Sequence, residues 1–90
     1  MKVIKRSGKV VDFAIEKIQT SIENAALDMK QTFSAHDVNT MAKDVYQHLV
    51  KMRGEDGLTS AHEIRALTVM AIKDYGYEKI ARHYAQGIYH

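Results

Sequence analysis

Val3-Ile4-Lys5-Arg6-Ser7-Gly8-Lys9-Val10-Val11-Asp12-Phe13 reads as two short β-prone runs joined by a turn, because Ser7-Gly8 supplies a residue that accepts positive φ without steric cost. A β-hairpin over about residues 2–13 is predicted. A lone hairpin is marginal in water, so its apolar face has to rest on the remainder of the chain. That remainder has a different period. From Ala14 the apolar residues Ile15, Ile18, Ile22, Ala25, Ala26 and Met29 recur at helical steps and predict a first helix over about 14–29.

Ser34 is a cap for a second helix over about 35–53, whose stripe is Val38, Met41, Val45, Leu49 and Met52, with Gly54 and Gly57 ending it. The link that follows reads as short and polar. Ser60-Ala61-His62-Glu63 has the spacing of a capping box, in which serine and glutamate each satisfy the other's free backbone N–H. It opens a third helix over about 60–75, facing inward with Ile64, Leu67, Met70 and Ala71. Gly76 separates it from a fourth, over about 77–89, carrying Tyr77, Ile80, Ala81, Tyr84 and Ile88. The predicted fold is α+β and mainly α: an antiparallel four-helix bundle capped by a small N-terminal hairpin or sheet, one domain over residues 1–90. The apolar pattern still runs at Ile88-Tyr89 when the chain stops at His90, as in a module cut from a longer protein.

Ninety residues hold one core and not two. A hydrophobic share of 46% with 27% charged residues argues against disorder, and no apolar run reaches the roughly 18 residues of a membrane span. The opening Met1-Lys2-Val3-Ile4-Lys5-Arg6 lacks the apolar centre of a secretory signal, so the expected location is cytoplasmic and no membrane partner is expected. The chain has no cysteine, which removes disulfides, thiolate zinc sites and cysteine nucleophiles. A net charge of +2 is too small to imply nucleic acid, but its distribution is uneven. Lys2, Lys5, Arg6, Lys9 and Lys17 crowd the N-terminal end against only Asp12 and Glu16, which makes that end the place for an anion.

Chemistry of the usual catalytic kinds is not legible. The five glycines form no Walker A loop and no G-x-G-x-x-G, and His62-Glu63 lacks a second histidine at zinc-protease spacing. His36, His48, His83 and His90 share no ligand spacing and read as solvated surface residues, with no metal site. No nucleophile elbow is present, and the expectation is a chain that is not an enzyme.

One constellation remains. Lys5 and Arg6 at the hairpin and Lys17 in the first turn of the first helix converge beside Val3, Phe13 and Ile18. Cations there suit phosphate oxygens, the apolar residues suit a base, and a helix N-terminus adds N–H groups that favour an anion. Spacing alone leaves a second reading open, in which the cations solubilise an exposed edge and Val3, Phe13 and Ile18 are ordinary core.

The same residues resemble the opening of the ATP-cone, written V-I-K-R-x-G, a few residues, F, then E-K-I; here it is Val3 to Gly8, Phe13, and Glu16-Lys17-Ile18. Ser60 to Leu67 is similar to the family's third helix start, and Gly76-Tyr77, Ala81, Tyr84 and Tyr89 to its closing pattern. The resemblance implies four helices covered by a small sheet whose hairpin lies over a nucleotide. It implies ATP or dATP as effector, with magnesium only as companion of the triphosphate, and a regulatory role in ribonucleotide reductases or in a repressor of their genes. Ribonucleotide reductase subunits and further copies of the chain are the implied partners.

Carried over by position, Lys5 and Arg6 meet phosphate or ribose, Lys17 reaches the phosphates, and Val3, Phe13 and Ile18 border the base. At the third helix, Thr59 and His62 match the family's polar positions in an ungapped alignment, whereas placing Ile64 on its apolar position puts Arg65 there instead. Ala14 departs from the acidic or amide residue usual after Phe, Val11 from the acid of some members, and Tyr89-His90 from the Tyr-Arg ending. Three functions compete: a nucleotide sensor acting on oligomeric state, a helical protein-interaction module with a degenerate nucleotide site, and nucleic-acid binding. The third is weakest, because the repressor relatives read DNA through a zinc ribbon that needs cysteines.

Overall fold

A computed structural model describes residues 1–87. The predicted hairpin forms as β1 (Lys2–Ile4) and β2 (Val10–Asp12), antiparallel, with Val3 opposite Val11. Its loop is longer than the Ser7-Gly8 dipeptide. The Gly8 N–H donates to the Lys5 carbonyl at 2.9 Å and the Lys5 N–H to the Lys9 carbonyl at 2.8 Å, so Arg6, Ser7 and Gly8 form a three-residue turn. Gly8 has φ +86° with nothing within 4 Å of a would-be Cβ, so the torsion alone selects glycine there.

Four helices follow: α1 (Ile15–Asp28), α2 (Ala35–Arg53), α3 (Ala61–Asp74) and α4 (Glu78–Gln86). The bounds of α2 match the prediction. Ser34 caps it by accepting from the Asp37 N–H at 3.1 Å. The first helix lacks a glycine stop and instead turns through Lys30 in the left-handed region at φ +57°, with the Gln31 N–H returning to the Ala26 carbonyl. Each helix packs on the next in chain order and α4 returns to α1, so α1 and α3 stand diagonally across one core. Ile22, Met41, Val45, Leu49, Ile72, Ile80 and Tyr84 fill it and are essentially unexposed.

The short polar link expected after α2 is corrected by the structure, which forms a third strand there, β3 (Leu58–Ser60). It lies parallel to β1, with Thr59 opposite Val3, giving the order β2-β1-β3. Gly57 leads into this strand at a place no side chain fits, since a Cβ would stand 2.2 Å from the Arg53 carbonyl oxygen. Its own carbonyl accepts from the Lys2 N–H at 2.9 Å, extending the ladder. The sheet alternates as expected: Val3 and Thr59 are buried, while Ile4, Val10 and Leu58 are exposed.

Two apolar assignments change. Met52 and Met70 are 54% and 56% exposed. Met52 falls in the last turn of α2, past the core, and the buried face of α3 runs instead through Thr68, Ala71 and Ile72. A threonine at the centre of that face displaced the predicted stripe by one residue. The capping box is half formed: Ser60 accepts from the Glu63 N–H at 3.0 Å, but the Glu63 carboxylate turns away to Arg53 and Thr59. Ile88, Tyr89 and His90 lie outside the described residues.

These positions make contrasting demands on volume. Leu49→Ala is expected to destabilise by about 2–5 kcal/mol, whereas Met52→Ala stays within about 0.5 kcal/mol. Guanidinium unfolding of both variants measures the difference.

Candidate functional site

Between the inner face of the sheet and the first turns of α1 and α3 lies a cavity of about 640 Å³. The N-terminal ribbon supplies one wall, with Val3, Lys5 and Arg6; the helix that follows supplies another, with Phe13 at its entry and Lys17 and Ile18 in its first turn. Ile64 of α3 reaches the same space. These predicted site residues, distant in sequence across the hairpin and two helices, therefore share one hollow. The other three do not line it. Thr59 is buried on the inner face of β3 and donates to Glu63 at 2.6 Å, His62 is exposed, and the Arg65 guanidinium donates to the Ala85 carbonyl at the far end of α4.

Cations outnumber carboxylates around the hollow, three to two. Among the described residues, Lys5, Arg6 and Lys17 form no ion pair within the protein. Two carboxylates, Asp12 and Glu16, also border the space. Asp12 is engaged from outside by Lys2, whose hydrogen bond and charge hold its pKa below the usual carboxylate value. The α1 N-terminus adds to the positive side: Ala14 is its N-cap residue, offers no side-chain cap, and lines the cavity. The Lys17 N–H already donates to the Ala14 carbonyl at 3.1 Å, and the positive end of the helix dipole there favours an anion.

The apolar side is built from behind. Phe13 stacks on Tyr46 of α2 with ring centroids 5.2 Å apart, which fixes one face of the wall. Val3 and Ile18 are nearly fully buried in the same region. Sequence reasoning missed Thr20, Ser21 and Ala61, which also line the space. Ser21 left a usable signal, a hydroxyl inside the apolar stripe between Ile18, Ile22 and Ala25, whereas nothing in the sequence marked Ala61.

Thr59 belongs to a clamp beside the site. The Arg53 guanidinium meets both Glu63 oxygens, at 3.3 and 2.8 Å, while Thr59 donates to the first, so the end of α2, β3 and the start of α3 are tied together. The Arg53 and Thr59 hydrogen bonds hold the Glu63 pKa below its ordinary value. A carboxylate with a depressed folded pKa stabilises above its unfolded pKa and loses that contribution as pH falls through the folded one. His83, expected as a solvated surface residue, lies 3.3 Å from Asp28 and joins α4 to α1, whereas His36 and His48 are exposed as expected. Melting of the parent and of Glu63→Gln, followed from neutral pH to below the ordinary glutamate value, is expected to show the parent's advantage at neutral pH and its disappearance in acid.

No helix among the described residues is long and apolar enough to cross a membrane, and no group of three or more His, Asp or Glu side chains is gathered to hold a metal ion. A search of curated proteins returned no match. The family model described as the ATP cone domain, in contrast, matches residues 1–86 of the 90. A match of that extent takes in the hairpin, β3, all four helices and every residue bordering the cavity, and it shows that the chain belongs to the ATP-cone family, whose domains are generally regulatory modules that bind ATP or dATP and not catalytic ones.

Proposed function

We propose that the cavity between sheet and α1 binds an adenine nucleotide as a signal, and that its occupancy controls the activity or oligomeric state of a ribonucleotide reductase or a related protein. The observation that carries this reading is the set of three cations without ion-pair partners among the described residues, Lys5, Arg6 and Lys17, around a hollow that also offers apolar walls. Cations left without carboxylate partners beside a concave apolar surface suit a polyanion with an aromatic end. In this reading Lys5, Arg6 and Lys17 meet the triphosphate, while Val3, Phe13 and Ile18 border the base. Ile64 closes the apolar side. Thr59, His62 and Arg65 act from outside the cavity, Thr59 by holding β3 against α3. Magnesium enters with the triphosphate, bound to phosphate oxygens.

Regulation by such a site requires that the nucleotide bind one arrangement of the protein more tightly than another. The hairpin is the element suited to respond, because phosphate charge draws the Lys5-Arg6 turn towards Lys17 across the opening. A second reading, a helical interaction module with a degenerate site, is favoured by one observation: Ala14 lines the cavity where family members carry an acidic or amide side chain.

Calorimetry separates the two. ATP and dATP are expected to release heat with the parent, and Lys17→Ala to weaken binding by about tenfold to a hundredfold, the range of a charge-assisted hydrogen bond. Binding is expected to fall with added salt. An unchanged melting temperature at millimolar ATP sinks the nucleotide reading and leaves the interaction module, since a ligand of the folded state must raise it.

A further inference from the structure

The cavity follows α1 for two turns: Glu16 and Lys17 border it from the first, Thr20 and Ser21 from the second. The two hydroxyls of that second turn differ in what they already hold. Ser21 is fully buried, and its hydroxyl donates to the Ile18 carbonyl at 2.8 Å and meets the Tyr84 hydroxyl at 2.9 Å. Thr20 is exposed, and its hydroxyl has no hydrogen-bond partner among the described residues. Its own helix does not absorb it either. The other helical threonines, Thr40 and Thr68, donate to the carbonyls four residues back, those of His36 and Ile64, at 2.9 and 2.7 Å, whereas Thr20 makes no such bond to Glu16. One proton and two lone pairs are therefore left for a ligand at the rim of the hollow.

From this geometry, and resting on the nucleotide reading above, we infer that Thr20 is a specificity-determining residue of the site, its hydroxyl bonding a sugar hydroxyl of the nucleotide. The cations set the order of the ligand along α1. Lys17 and the positive end of the helix take the phosphates, and Thr20 stands one turn, about 5 Å, further from that end. Ile18, on the buried side of the same helix, borders the base. The sugar is the part that joins phosphates to base, and its hydroxyls donate and accept as the threonine does. Thr20 faces water, so the bond replaces one to solvent and contributes only the modest amount of a neutral pair. A ligand without sugar hydroxyls loses that bond and keeps its phosphate contacts.

Thr20→Val keeps the branched shape and removes the hydroxyl at an exposed position, so the variant is expected to fold and melt as the parent does. Calorimetry then compares ATP with dideoxy-ATP, which has the same base and phosphates and neither sugar hydroxyl. Thr20→Val is expected to bind ATP about three- to tenfold more weakly than the parent and dideoxy-ATP equally well, while Thr20→Ser binds both as the parent does. Parental ATP binding by Thr20→Val overturns the inference. So does an equal loss with both ligands, which puts the lost contact away from the sugar. Lys17→Ala separates this failure from failure of the site: weakened binding of both ligands there, with parental binding by Thr20→Val, discards the role of Thr20 and keeps the nucleotide reading. A parent that gives neither heat nor a melting shift with ATP overturns both.

Discussion

The pairing of β1 with a strand on each side is the contact on which the remainder depends. Val3 lies between Val11 and Thr59, so the first few residues of the chain are hydrogen-bonded both to their neighbour in the hairpin and to the segment that enters α3. A two-stranded ribbon alone would not hold a position in water. The third strand gives it one, and thereby sets the cations of the turn above the first turn of α1. Without the parallel ladder there is a helical core and a loose ribbon, but no enclosed space between them.

Burial and charge are divided between layers. Apolar residues of all four helices make the core, while the hollow beside it carries the cations and an uncapped helix start. The boundary between the layers is polar and buried at once, occupied by Ser21, Thr68 and Tyr84. Burial pushes the Tyr84 phenol above its ordinary pKa. Hydroxyls in such a place cost stability unless each finds a partner, and no buried side-chain polar atom among the described residues is without one.

Much of this was legible in the residues. Helical periodicity and the Ser34 cap mark α2 to the residue, and the V-I-K-R-x-G and E-K-I runs contain the cations and apolar residues that border the cavity. What escaped has a common cause. β3 is three residues long and is a strand only because β1 lies beside it, a pairing across more than half the chain that no local pattern encodes. Thr68 hid the buried face of α3, because a polar residue at its centre broke the apolar count. The Glu63 carboxylate followed a full charge on Arg53 in preference to the backbone N–H of its capping partner. Only the family resemblance points to Thr59, His62 and Arg65, and a linear match does not say which side of a helix start faces a hollow.

At the tip of the hairpin, the absence of atoms around Gly8 changes the meaning of its glycine. There is room for a methyl group, so size is not what excludes one; the backbone twist is. The constraint is therefore one of handedness. An alanine of ordinary chirality would strain the ribbon that presents Lys5 and Arg6, while its mirror image would fit the same torsion and leave the unfolded chain fewer shapes to choose from.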